Sequence, residues 1–119
     1  MTIEINTLRG GSPTVTVGET KNITAKARIV RRTAARGTTV HTTLAIEAFD
    51  NTGHISGQTS CPVRLEVGKG GEGRTLNLPI PQCEGDSILF RATFYANEND
   101  ECGNRVCSIA TKEITKTCK

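Results

Sequence analysis

Ile88-Leu89-Phe90-Arg91-Ala92-Thr93-Phe94-Tyr95-Ala96 places Ile88, Phe90, Ala92, Phe94 and Ala96 on one side of an extended chain. Leu89, Arg91, Thr93 and Tyr95 fall on the other side. A side-chain period of two buries one face of a strand and wets the other. The same period runs through Ile23-Thr24-Ala25-Lys26-Ala27-Arg28-Ile29. It recurs in Val40, Leu44, Ile46 and Ala48, in Val63, Leu65 and Val67, and in Leu76, Leu78 and Ile80. Hardly any stretch carries a helical period, so the chain reads as all-β.

Composition agrees with that reading. The 119 residues are 35% hydrophobic and 3% aromatic, so the core must be thin and aliphatic. β-branched side chains suit a pleated, half-buried surface, and threonine can stand on its wet side. A length of 119 residues fits one domain over residues 1–119. The balance of 15 basic and 12 acidic side chains gives a net charge of +3, which is no global polyanion signature. No run approaches the ~18 apolar residues of a membrane span. Met1-Thr2-Ile3-Glu4-Ile5 has neither the basic region nor the apolar stretch of a signal peptide.

Turn chemistry divides the strands. Arg9-Gly10-Gly11-Ser12-Pro13 interrupts a first strand begun by Ile3 and Ile5, and Thr14-Val15-Thr16-Val17 resumes it on a different sheet edge. Asp50-Asn51-Thr52-Gly53 forms a turn because Asn and Gly tolerate positive φ. A short return follows at His54-Ile55-Ser56, and the next full strand is expected from Cys61 to Val67. Pro79 and Pro81 lack the N–H a ladder needs, so the strand holding Leu76 and Leu78 lies at an edge or ends early. Strand 87–96, the most apolar, takes the centre of its sheet. Seven or eight short strands, with turn signals about every 8–12 residues, fit an antiparallel two-sheet β-sandwich.

The cysteines Cys61, Cys83, Cys102, Cys107 and Cys118 all lie in the second half, and none has the CxxC spacing of zinc or thiol redox motifs. A hairpin register with Tyr95 opposite Val106 also sets Cys83 opposite Cys118. Cys102 and Cys107 flank a pinched polar loop. The expected disulfides are therefore Cys83–Cys118 and Cys102–Cys107, with Cys61 left over; a Cys61–Cys83 bond is the next choice. Disulfides place a protein outside a reducing cytosol, or in an organism whose cell contents are oxidised.

No motif supplies catalysis. Gly68-Lys69-Gly70-Gly71-Glu72-Gly73 has the letters of a dinucleotide fingerprint, but a strand follows it where the mechanism needs a helix. His41 and His54, the two histidines, align with no Asp, Cys or Ser, and both read as solvated. The run Asn97-Glu98-Asn99-Asp100-Glu101 lacks the calcium-loop pattern and reads as a polar hairpin tip. Neither an enzyme nor a cofactor is expected.

One local asymmetry stands out. Between Lys21 and Arg36 there are cations and no acid. Lys26 and Arg28 share an outer strand face, and Arg31, Arg32 and Arg36 crowd the next loop. Polyanions are drawn to such a surface. Sheet-based nucleic-acid binding normally adds stacking aromatics, and only Phe49 and Tyr95 can serve on outer faces.

The order Val15-Thr16-Val17-Gly18-Glu19, then Ile23 to Ile29, then Gly85 to Ala96, then Asn97 to Glu101 resembles the CARDB/APHP type of prokaryotic Ig-like or fibronectin-III-like domain. That resemblance implies an Ig-like sandwich in a surface, adhesion or stalk module and brings no catalytic residues. The expected function is a non-enzymatic extracellular or cell-surface adhesion or structural module, such as a filament or virion subunit. It would act by protein–protein contacts or self-association at edges such as Ile3–Thr7 or Ser108–Thr117. The alternative is a small binding protein that captures an acidic partner, glycan or nucleic acid on its basic surface.

Overall fold

A computed structural model describes residues 2–30, 38–98 and 101–119, with the side chains of Val106 and Cys107 left out. The described residues hold eight strands: β1 (Ile3–Arg9), β2 (Thr14–Val15), β3 (Thr20–Ile29), β4 (Thr39–Asp50), β5 (Gly53–Glu66), β6 (Glu72–Pro79), β7 (Ser87–Asn97) and β8 (Arg105–Cys118). They form a three-stranded sheet, β1-β3-β6, and a five-stranded sheet, β2-β8-β7-β4-β5. The inward residues of each strand meet between the two sheets. Ile5, Ile23, Ala25, Ala27 and Leu78 come from the smaller sheet, and Leu44, Ile46, Val63, Ile88, Phe90 and Phe94 from the larger. Phe90 and Phe94 are the largest fully buried side chains, and both sit on β7 at the middle of its sheet. β6 is an edge strand and ends at Pro79, as its prolines require.

Three expectations need correction. The sheets are not wholly antiparallel, because β2 pairs parallel with β8 through Thr14↔Thr117 and Val15↔Cys118. Between β1 and β2 the chain steps sideways to the other sheet, and β2 arrives running the same way as β8. Gly10 permits that step: a Cβ there would meet the Ile23 Cδ1, and the Asn22 carbonyl at 3.2 Å. Two buried lysines hold the crossing. Lys21 Nζ donates to the Thr14 carbonyl (3.0 Å), and Lys116 Nζ donates to the Ser12 carbonyl (2.7 Å). Burial, followed by the neighbouring Lys21 charge, pushes the Lys116 ammonium below its ordinary pKa of 10.5.

The second correction concerns β5. It runs unbroken from Gly53 to Glu66, and the segment Gly57-Gln58-Thr59-Ser60, which has no apolar residue, pairs fully with β4. An edge strand that runs past the core needs no inward apolar side chain. The third concerns the cysteines. Cys83–Cys118 is formed, but Cys102 bonds to Cys61, with Cα atoms 5.8 Å apart, and not to Cys107. The continuous β5 brings Cys61 beside the tip that joins β7 to β8. There Asn97 Nδ2 donates to the Cys61 Sγ (3.2 Å) and Thr43 Oγ1 donates to the Asn97 Oδ1 (2.7 Å).

The register behind the Cys83–Cys118 expectation also differs. Tyr95 faces Ser108, and irregularities at Phe94/Tyr95 and Ala96/Asn97 shift the ladder. Cys83 precedes β7 and reaches Cys118 from the loop. The pair is as expected, although the two residues are not opposite each other in the hairpin. Two disulfides suit an oxidising environment.

Candidate functional site

The outer face of the five-stranded sheet is organised in rows. One cross-strand row reads Glu113, Arg91, Glu47, Gly57, and the next reads Thr111, Thr93, Ala45, Thr59. Charge alternates along the first row: Arg91 pairs with Glu113 at 2.7 Å and lies 4.7 Å over the Phe49 ring. Both rows end in small residues towards β5. The result is an open depression of about 410 Å³, lined by Ala45, Glu47, His54, Gly57, Gln58, Thr59, Tyr95 and Arg105.

Each wall has a local cause. Gly57 leaves room for His54, whose Nε2 would stand 3.1 Å from a Cβ at that position. His54 lies edge-on to Phe49, with centroids 5.5 Å apart, and approaches Glu47 Oε2 at 3.4 Å. On the opposite wall the Arg105 guanidinium stacks 4.8 Å over Tyr95. No carboxylate among the described residues pairs with Arg105. The Cys61–Cys102 bond ties the tip just before Arg105 to β5, and so fixes the two walls relative to each other.

The edge of β5 beside this depression is open. The Cys118 N–H donates to the Asp86 carbonyl on the β7 side (2.9 Å), and the Thr117 N–H donates to Pro13 on the other side (3.0 Å). Backbone groups in a strand alternate between its two neighbours. Glu113 therefore points away from β7, Arg91 towards β4, Glu47 towards β7, and Gly57 away from β4. Gly57 and Thr59 thus turn their N–H and C=O groups outward, where no strand among the described residues pairs with them. The stretch from Gly53 to Cys61 also contains no Lys, Arg, Asp, Glu or Pro, the residues that usually guard an edge.

The expected edges are placed as follows. β1, holding Ile3–Thr7, lies at the rim of its sheet and pairs only with β3. β8 pairs with β7 along its length but with β2 only at Thr117 and Cys118, so Thr111, Glu113 and Thr115 also turn backbone groups outward. An apolar notch of about 350 Å³ between these strands is lined by Ile3, Val40, Ala96 and Ile109.

The basic surface is gathered only in part. Lys26 and Arg28 are exposed on the outer face of β3, while Arg31, Arg32 and Arg36 lie outside the described residues. Arg28 is held by Glu4 at 2.7 Å. Arg28 and Lys69 line one depression of about 470 Å³. Lys69 joins Arg64 and Arg74 in another of about 300 Å³, where Glu66 and Glu72 dilute the charge. These added cations come from β5, β6 and the turn between them, outside the run between Lys21 and Arg36. Gln58, Tyr95 and Arg105 were missed as a group because only the sheet register unites them; the signal was the turn at Asp50–Gly53, which obliges β5 to return along all of β4.

Chemically the depression on the outer face of the five-stranded sheet is suited to holding a ligand. Its carboxylate–imidazole pair, Glu47 and His54, is well hydrated, with side chains 33% and 51% exposed. Among the described residues no cluster of three or more potential metal ligands occurs.

No family model matches the chain, and no curated protein matches it. Among solved structures it is similar to the Pseudomonas fluorescens alkylpurine DNA glycosylase AlkC bound to DNA containing an abasic site analog. That match has 14% identity and a TM-score of 0.53, and covers 98% of this chain and 30% of that one. It is also similar to a glycosyl hydrolase family 2 member from Bacteroides cellulosilyticus, at 12% identity and a TM-score of 0.54, covering 95% of this chain and 15% of that one. The chain thus spans a minor part of either protein, and at these identities the likeness speaks to fold alone.

Proposed function

We propose that this chain is a non-enzymatic Ig-like binding module of an oxidising compartment, such as the cell exterior, which engages partner proteins at its open sheet edges. The observation that carries the reading is the pair of unpaired backbone edges, on β5 and β8, flanking a shallow hydrated face. Strand addition uses such edges: main-chain hydrogen bonds supply affinity and neighbouring pockets supply selectivity. The strand order, with the first strand divided between the two sheets, supports the Ig-like assignment. The two disulfides support the compartment.

A second reading keeps the basic end as a polyanion surface. It is favoured by the convergence of Arg28, Arg64, Lys69 and Arg74 on two adjoining depressions. One similar structure is, by its description, bound to DNA. Titration with heparin and with duplex DNA at low and moderate salt separates the readings. Edge recognition predicts weak polyanion binding that Arg28→Ala/Lys69→Ala leaves nearly unchanged. Tight binding that falls steeply with salt and collapses in that variant would establish the polyanion surface instead.

A further inference from the structure

We infer that β5 pairs antiparallel with β5 of a second copy of this chain, across a twofold axis at Gln58. This rests on the edge-binding reading above and names both the edge and its occupant. Gly57 and Thr59 turn their N–H and C=O groups outward, and opposed residues of that kind in antiparallel strands exchange two hydrogen bonds. One register uses both outward residues of each copy. Gly57 bonds Thr59 of the second copy, Thr59 bonds its Gly57, and Gln58 faces Gln58 on the axis. Directly opposed side chains share a sheet face and interact. Gln58 is exposed, and its carboxamide both donates and accepts, so it is its own complement on a twofold axis. The same register sets Ser56 opposite Ser60 of the second copy. Ser56 is only 9% exposed, and its buried Oγ has no hydrogen-bond partner among the described residues. The facing serine hydroxyl supplies one, and a buried hydroxyl left without a bond is costly.

Charge and space agree with this pairing. The stretch from Gly53 to Cys61 carries no Lys, Arg, Asp or Glu, so two copies meet there without like charges. His54 leans over Gly57 towards Glu47 of β4, which leaves the outer side of the edge clear. No side chain of the second copy has to enter the depression. β8 is the poorer edge for self-pairing. The register that uses its outward Thr111, Glu113 and Thr115 together sets Glu113 against Glu113, and like charges directly opposed are destabilising. The pairing on β5 is also short, because Pro62 has no N–H and its carbonyl already accepts from Arg74 Nη2 (3.2 Å). So small an interface belongs to the weak, transient class. The chain is therefore a monomer in micromolar solution and dimerises as its concentration approaches millimolar.

The test is a concentration series of the oxidised full chain by sedimentation equilibrium, with amide exchange read at both ends of the series. The mean mass is expected to rise towards that of a dimer, and the amides of Gly57 and Thr59 to slow only at the concentrated end. Gln58→Glu and Gln58→Lys, each shown to be folded by its slow core amides, dimerise alone roughly tenfold more weakly. An equimolar mixture of the two regains at least the affinity of the unaltered chain. A monomer at every concentration would overturn the inference. Binding of a capped heptapeptide of alternating Thr and Val to that monomer would still uphold edge recognition, whereas no binding would overturn both. A dimer that protects Thr111, Glu113 and Thr115 instead would overturn the choice of β5. A mixture no stronger than its components would overturn the register at Gln58.

Discussion

Asp50 is the most heavily bonded surface side chain among the described residues. Its carboxylate accepts from the Thr52 N–H (2.8 Å) and hydroxyl, from Gln82 Nε2 (2.9 Å) and from the Glu84 N–H (2.9 Å). The Thr52 hydroxyl, the Glu84 amide and the Gln82 side chain hold its pKa well below the ordinary 3.8. A depressed carboxylate stabilises the fold fully above its unfolded value, and the benefit is lost as pH falls through the folded value. Asp50→Asn is therefore expected to lower the Tm at neutral pH and to flatten the acid limb of a Tm–pH profile; an unchanged acid limb would contradict this. At Gly73 the constraint is steric, because a Cβ would run into the Ala25 carbonyl across the β3–β6 pair. Gly73→Ala should cost about 1–3 kcal/mol in urea unfolding, the usual range for overpacking.

At the scale of elements, the disulfides carry the clearest prediction. Cys61–Cys102 and Cys83–Cys118 close segments with sequence separations of 41 and 35. Chain-entropy reasoning gives each roughly 4 kcal/mol as an upper figure. Non-reducing peptide mapping should recover those two links, and a Cys102–Cys107 link would refute the arrangement of the tip. What sequence made legible here depended on burial. β3, β4 and β7 alternate over a buried face, and their limits and inward residues follow from the period of two. β5 is half outside the core, so Gly57 to Ser60 carries no apolar signal and reads as a break. Register was equally hidden: two irregularities in the β7–β8 ladder leave no mark in composition, yet they decide which residues are opposed. Lys21 shows the converse: read only as part of a basic run, it is buried, on the inward side of the alternation with Ile23 and Ala25.

For the whole molecule, architecture and function separate. The fold follows from alternation and turns, whereas the candidate site is a meeting of four strands: Gly57 from β5, Glu47 from β4, Tyr95 from β7 and Arg105 from β8. No local motif foretells that meeting; it exists only once the order β8-β7-β4-β5 is known. The Cys61–Cys102 bond ties the β7–β8 tip, and with it the Arg105 end of the depression, to β5. The most direct test of edge recognition is an amide-exchange map of the oxidised protein, free and saturated with a capped heptapeptide of alternating Thr and Val. The account predicts fast exchange at the outward amides of β5 (Gly57, Thr59) and β8 (Thr111, Glu113, Thr115) in the free protein, and slowed exchange along at least one of these edges in the complex. Exchange there that is already slow in the free protein, or unchanged in the complex, would contradict it.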